Sequence, residues 1–482
     1  MVNYLALLRF LFLFLCSSSA FAGSEPKVIN FDGWILSGFA QRGIAVQDIA
    51  MVAQPIPPYV NSDTIHYQHQ PEKLVNPASV VKLFTTGIAL DRLGSTFQFN
   101  TEFRADAKPV DGHLKGNLYV MGGGDPLFLT RDLWAALLQL RRQGVSVIEG
   151  AVVVDRSAFV EKYPLHSLTS STAEIQEPFD EAPYRAYHAQ PDSLLMNHGA
   201  MLIEVSLENN AVQLHLPEAP QTWSAVSQLE PVAGPCGSWK NNLSVDFTKQ
   251  QDQVVVTVSG QYPVSCGNSS LSIRVLNQDW LFASWFREIW QQLGGVLVGS
   301  IEEGRLPDNT VSLLIHRSPA INRILRDVNK WSNNVVARHL EMAALTPDQS
   351  FDQSMRAWLA SLGIDIRGWA FENGSGLSRN TRVTALGTSN FLVYMAGRPD
   401  FPDFLSSLPR AGHDGTLRTR LKGTDHYAYM KTGSLDDVRT VAGYLRTKKS
   451  QWYAFTIFVN GANADKAWPA MEEAIEYVYR TY

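Results

Sequence analysis

A serine and a lysine three positions apart, Ser79 and Lys82, offer the first chemistry in this chain of 482 residues. On a helix, positions i and i+3 share a face, so the amine would stand beside the hydroxyl. A hydroxyl attacks a carbonyl carbon after losing its proton, and a lysine desolvated enough to be neutral can take that proton. At a helix N-terminus Ser79 would also lie near free N–H groups, which favour a developing oxyanion. The plainer reading is a capping serine with a surface lysine. The pattern also arises by chance in a chain of this size, as at Ser24-Glu25-Pro26-Lys27. A second group, Ser332-Asn333-Asn334, opens a helical run. The Ser332 hydroxyl can relay a proton, and the Asn334 amide can hold the lysine and a substrate peptide group. Helix capping alone would also explain these residue types, and Ser378-Arg379-Asn380 fits the same loose pattern. The third group is Lys431-Thr432-Gly433-Ser434. A cation there can hold a carboxylate, the Thr432 and Ser434 hydroxyls can add hydrogen bonds, and Gly433 lets a substrate lie along a strand edge. A strand ending in a turn is the alternative.

Periodicity and punctuation place each group on an element. Asn76-Pro77-Ala78 leads into an apolar run, Ser79 to Leu93, closed by Gly94, which is the expected start and stop of a helix. A helix over 33–43 and a strand over 44–53 precede it. From 97 to 275 short β-like runs dominate, and 203–207 with 212–216 reads as a hairpin. Helices are expected at 279–293, 319–329, 332–345, 352–362 and 384–396. Tyr427 to Met430 forms a strand leading into Lys431, and strands over 439–445 and 452–459 precede a final helix over 465–480. The architecture expected is α+β: a helix-rich core with an antiparallel sheet, split into 23–96 and 276–482 by a mostly β insert over 97–275. A chain of this length suggests two or three domains.

All three groups, in this order and on helix, helix and strand, form the Ser-x-x-Lys, Ser-x-Asn, Lys-Thr-Gly set of penicillin-binding proteins and serine β-lactamases. Ser79 and Ser332 are 253 positions apart, far more than in a compact β-lactamase. The chain therefore resembles the class C low-molecular-mass penicillin-binding proteins, the D-alanyl-D-alanine carboxypeptidase/endopeptidase family. Gly123-Gly124-Asp125-Pro126, Asn373-Gly374-Ser375-Gly376-Leu377-Ser378-Arg379, Asp414-Gly415-Thr416-Leu417 and Val441-Ala442-Gly443-Tyr444 extend the resemblance from about residue 30 to the end. It implies a β-lactamase/transpeptidase-like domain with two small β domains nested between the first two motifs. By the same resemblance Ser79 is acylated, Lys82 is the base, and Ser332 and Lys431 pass the proton to the leaving amine. The Ser79 and Ser434 N–H groups form the oxyanion hole. Asp155, Phe159 and Arg379 match the pocket that reads the third residue of the stem peptide, and Asp125 reads as a turn residue. One departure is Leu435-Asp436-Asp437-Val438-Arg439, which puts two acids near the pocket mouth; solvated loop acids are the plainer account. Stem peptides of peptidoglycan are the implied substrates, β-lactams the covalent inhibitors, and no metal or organic cofactor is implied. A β-lactamase and a catalytically idle wall-binding protein of the same fold are the rival readings.

The remaining features narrow the setting. A net charge of −5 argues against a nucleic-acid partner. Arg9, the apolar run Phe10 to Leu15 and Ala20-Phe21-Ala22 read as an export signal over 1–22, which points to the periplasm. No later stretch reaches the roughly 20 apolar residues of a spanning helix; Trp468, Met471, Ile475 and Tyr479 suggest a core-facing helix rather than a membrane-surface one. Removal of the signal leaves Cys236 and Cys266, a plausible disulfide in an oxidising compartment. His188, His198 and His339 lack metal or triad partners in sequence and read as ordinary histidines. Gly122-Gly123-Gly124 has no following Lys-Ser/Thr, which excludes a P-loop. The sequence leaves a homo-oligomer open.

Overall fold

The computed structural model describes residues 27–31, 33–57, 65–162, 179, 182–209, 211–346 and 349–482. The expected export signal, the chance motif's Ser24 and Asn210 of the hairpin lie outside the described residues.

A six-stranded sheet organises the catalytic part. Its spatial order is Lys27–Asn30, Ile65–His69, Ile49–Pro55, Trp452–Asn460, Val438–Arg446 and Ala428–Leu435. The sheet is antiparallel apart from the pair at the Lys27–Asn30 edge. Successive side chains of a strand point to opposite faces, and both faces are covered. Ala50, Val52, Ala454 and Phe458 enter one core with Phe84, Leu340 and Phe391 from the helices Val81–Leu93, Asn334–Ala344 and Ala385–Ala396. Ile49, Met51, Ala53, Phe455 and Ile457 enter the opposite core. There the helices Gly33–Ala40 and Trp468–Thr481 supply Phe39, Met471, Ile475 and Val478. The last helix is thus core-facing, as its spacing predicts. Among the described residues no helix is long and apolar enough to cross a membrane.

The insert is mostly β. Its largest sheet has five strands, in the order Ile301–Glu303, Val152–Asp155, Leu118–Gly122, Asn100–Ala105 and Val311–Arg317. Two three-stranded sheets follow, one holding the expected hairpin as Ala200–Glu208 with Ala211–His215. Cys236 and Cys266 form a disulfide here.

The stretch just after the expected end of the insert pairs with it rather than with the catalytic sheet. Val311–Arg317 is the edge strand beside Asn100–Ala105. The helix Gln278–Gln292 buries Leu281, Phe282, Phe286, Ile289 and Trp290 in the core that also holds Val120 and Val154. Helical periodicity shows that one face is buried but not which core it enters, so a return to the catalytic part at 276 is too early.

Candidate active site

Ser79 lies in a 3₁₀ turn, Ala78–Val80, which runs directly into the helix Val81–Leu93. In a 3₁₀ turn residues three apart are nearly eclipsed, and the Lys82 Nζ stands 3.0 Å from the Ser79 Oγ. Lys82 is fully buried, not on the surface as a capping serine with a solvated lysine would require. Its other partners are the Asn334 Oδ1 at 2.7 Å and the Ser375 carbonyl. Both of those oxygens only accept hydrogen bonds. A neutral amine has two N–H groups and one lone pair. With its two N–H groups on Asn334 and Ser375, its lone pair is left for the one neighbour that can donate, the Ser79 hydroxyl.

The second motif reaches the same point from another helix. Asn333, not Ser332, caps the helix Asn334–Ala344: its side chain accepts from the Val336 N–H at 3.1 Å. Capping therefore does not account for Ser332 or Asn334. Ser332 adopts a left-handed backbone, φ 58°, a conformation that costs a non-glycine residue roughly 1–2 kcal/mol. Its Oγ accepts from the Lys431 Nζ at 2.9 Å.

Lys431 is on the edge strand Ala428–Leu435 and is fully buried. It also donates to the Thr432 carbonyl at 2.6 Å. Its burial places it behind Ser332 rather than at a position to meet a carboxylate in solvent. The Thr432 hydroxyl, 2.8 Å from that of Thr416, and the exposed Ser434 lie further along the strand. Gly433 is required by close approach. A Cβ there would stand 2.3 Å from the Thr440 Oγ1 and 2.9 Å from the Ser79 backbone nitrogen. The strand and the nucleophile's turn are thus in contact, and the Thr440 hydroxyl pins the turn by donating to the Pro77 carbonyl at 2.8 Å.

Burial sets the electrostatics. It lowers the Lys82 pKa well below the ordinary lysine value, with the nearby Lys431 charge pushing the same way. Burial lowers the Lys431 pKa to about 7. Among the described residues neither amine has a carboxylate in ion-pair contact. This is the arrangement that makes a lysine a base at neutral pH.

A nucleophile with a desolvated base, a second serine and a strand-borne lysine, on this fold, matches a known family. The model of the D-Ala-D-Ala carboxypeptidase 3 (S13) family matches residues 41–482. The chain belongs to that family. Among curated relatives, a D-alanyl-D-alanine carboxypeptidase of Actinomadura sp. is 29% identical over 428 residues, 83% of this chain and 76% of the relative. The D-alanyl-D-alanine carboxypeptidase DacB of Haemophilus influenzae is 25% identical over 422 residues, 83% of this chain and 84% of the relative. The crystal structure of penicillin binding protein 4 from Haemophilus influenzae shares the fold, with TM-score 0.74 and 22% identity, covering 92% of this chain and 98% of that one. This family member is accordingly a serine-type hydrolase of the α+β, transpeptidase-like class.

The other residues singled out in the sequence fall in different places. Arg379 stands at the mouth of the cleft, over the Phe179 ring at 4.6 Å and 3.6 Å from Asp436. Asp155 does not join the cleft group. It is buried, and its two carboxylate oxygens accept from the Ser157 N–H at 2.8 Å and the Leu306 N–H at 2.7 Å. Phe159 is likewise buried, packed edge-on against His339 at 5.4 Å between ring centres. Asp125 is the turn residue expected, accepting from the Leu127 N–H at 2.8 Å; burial raises its pKa to about 7. His339 is structural: it bonds the Gly124 carbonyl at 3.0 Å and accepts from the Asp192 N–H at 3.3 Å, and burial lowers its pKa to about 4. His198 is half-buried, and its pKa is lowered by burial. His188 is buried against Tyr187 and lines a pocket beside Asn334.

Sequence reasoning missed the Ser375 carbonyl as a partner of Lys82. The signal was Gly376, whose φ of 77° and 2.1 Å approach of its would-be Cβ to the Ala78 carbonyl press that segment onto the nucleophile's turn. It also missed Asp414, which binds the Lys330 Nζ at 2.6 Å just ahead of Ser332.

Proposed function

We propose that this hydrolase acts as a D-Ala-D-Ala carboxypeptidase and DD-endopeptidase on peptidoglycan stem peptides, through an acyl-enzyme on Ser79. Neutral Lys82 takes the Ser79 proton as Oγ adds to the carbonyl carbon of the penultimate D-alanine. The backbone N–H groups of Ser79 and Ser434 face the oxyanion. Collapse breaks the peptide bond, and the leaving D-alanine amine gains its proton through Ser332, which Lys431 orients and recharges. Water then attacks the ester, returning the hydroxyl of Ser79 and freeing the acyl peptide. Thr432 and Ser434 hold the terminal carboxylate, Gly433 lets the peptide lie on the strand edge, and Arg379 contacts substrate at the mouth. β-Lactams would acylate Ser79 by the same route.

The observation that carries this reading is the Lys82 environment: two acceptor-only oxygens and one hydroxyl around a buried amine with no counter-charge. On the same reading the insert runs from about 97 to 317, and the leader over 1–22 exports the protein to the periplasm. Fluorescent penicillin tests the mechanism. The protein should be labelled covalently and Ser79→Ala should lose the label; a variant that still labels would sink the assignment. Mass spectrometry of purified muropeptides then separates the two activities, as loss of one alanine or as conversion of cross-linked dimers to monomers.

A further inference from the structure

A pocket opens beside the nucleophile, walled in part by Tyr187, Arg274, Asn334, Arg338, Glu372 and Ser375. It shares a wall with the catalytic group, because Asn334 and Ser375 are also the partners of Lys82. Arg274 enters from the insert, as the last residue of the strand Ser269–Arg274, with its backbone N–H on the Tyr184 carbonyl at 2.8 Å. It is 8% exposed. Its Nε is buried without a hydrogen-bond partner, and among the described residues no carboxylate pairs with its guanidinium. Burial lowers its pKa below the ordinary arginine value. The neighbouring acids are occupied. Glu341 lies 2.9 Å from the Arg338 Nε and accepts from the Gly374 N–H at 2.8 Å. Glu372 accepts from the Ser378 hydroxyl at 2.5 Å.

A buried, unpaired guanidinium is costly in a folded protein unless something anionic meets it. Arginine offers a carboxylate a planar, two-pronged contact. We propose that Arg274 receives a carboxylate of the stem peptide other than the terminal one, so that the enzyme favours substrates whose acid is free over those in which it is amidated. This rests on the hydrolase reading above. The hydroxyls that suit the terminal carboxylate, Thr432 and Ser434, lie on the Lys431 strand, whereas the Arg274 pocket is walled by the insert, the Asn334 helix and 372–377. Two carboxylates of a stem peptide remain, that of the isoglutamyl residue and that on the side chain of a diamino-acid third residue.

Synthetic pentapeptides ending in D-Ala-D-Ala test the proposal, one with both acids free and two with one or the other amidated. For the wild type, amidating the recognised acid should raise KM about 10- to 100-fold with a smaller effect on kcat. Which peptide suffers identifies the acid. In Arg274→Met the free-to-amidated ratio of kcat/KM should fall towards one, and Arg274→Lys should keep part of it. Arg274→Met should unfold at the wild-type temperature or above, since it removes an unmatched buried charge; if it fails to fold, the ratio is read in Arg274→Lys. A wild type indifferent to both amidations, or an Arg274 variant that keeps the full ratio, overturns the proposal. Penicillin labelling of the wild type distinguishes the failures: a labelled enzyme with no preference sinks this inference alone, and an unlabelled one sinks the hydrolase reading.

Discussion

Arg156 in the insert and the two lysines of the cleft are all buried cations, yet their surroundings are opposite. The Arg156 Nε donates to Asp279 at 2.8 Å, and its Nη1 donates to Asp192 at 2.5 Å and to the Leu194 carbonyl at 2.9 Å. Burial opposes its charge, but Asp192 and Asp279 outweigh burial and hold its pKa above the ordinary value. Lys82 and Lys431 are equally enclosed, have hydroxyl and carbonyl oxygens for company, and have lowered pKa values. Where the charge joins parts of the structure it is matched. Where a proton must leave, the match is withheld and solvation is denied. Arg274 belongs with the lysines in this respect, which is why a ligand rather than a fold role is assigned to it.

Substituting both kinds of site should separate activity from stability. Lys82→Met should reduce the rate of penicillin acylation roughly 10³-fold, within the range of lost general-base catalysis. Its unfolding free energy should stay within about 1 kcal/mol of wild type: losing a buried unmatched amine offsets losing its bonds to Asn334 and Ser375. Arg156→Met should do the reverse. It strands Asp192 and Asp279, and should cost about 2–3 kcal/mol in denaturant unfolding. This is below the roughly 3–5 of a fully buried pair, because the Asp279 side chain is 39% exposed. Acylation by penicillin in the folded fraction should change little. A Lys82→Met protein that labels normally, or an Arg156→Met protein of wild-type stability, would break the contrast.

The pH profile sharpens the same contrast by smaller effects. Lys82 must be neutral to act and has the lower pKa; Lys431 must be charged to recharge Ser332 and loses its proton near pH 7. The value of kcat/KM should therefore rise with pH on an acid limb set by Lys82, then fall as pH passes about 7. The limbs belong to the coupled pair rather than to either amine alone. A rate that climbs steadily to the ordinary lysine range near 10.5 would show that burial has not shifted the pair.

Much of this was legible before the structure, for physical reasons that differ by element. The nucleophile's helix announced itself by Pro77 and Gly94, and the catalytic strand by its position between apolar runs. Three motifs on matching elements indicated a cleft even though no one of them did. The insert's far boundary was not legible. An amphipathic helix such as Gln278–Gln292 has the same period whichever core receives it, and the five-stranded sheet is closed by Val311–Arg317, about 200 residues after its partner. Asp155 shows the complementary limit. Its type and the local pattern suit substrate binding, but two backbone N–H groups take both its oxygens, and such contacts depend on Leu306, far along the chain. Arg274 carried no motif at all; its meaning lies in the absence of a partner, which a sequence cannot display.

The smallest effect is expected where charge is most visible. Asp436 and Asp437 depart from the family pattern after Lys-Thr-Gly, and both are exposed. Asp436 is 91% exposed and 3.6 Å from Arg379, itself 53% exposed. Exposed pairs at such distances are screened by water and salt and contribute little. Arg379 is also held by the Phe179 ring, so removing Asp436 does not release it. Asp436→Asn should therefore change kcat/KM for a stem pentapeptide by less than about threefold, with the difference shrinking as salt is raised. The same substitution logic gave about a thousandfold at Lys82, a residue of equal formal charge magnitude. A large, salt-insensitive loss at Asp436 would mean that substrate closes over this turn and dries it, and the boundary of the desolvated cleft would have to be moved outward to include it.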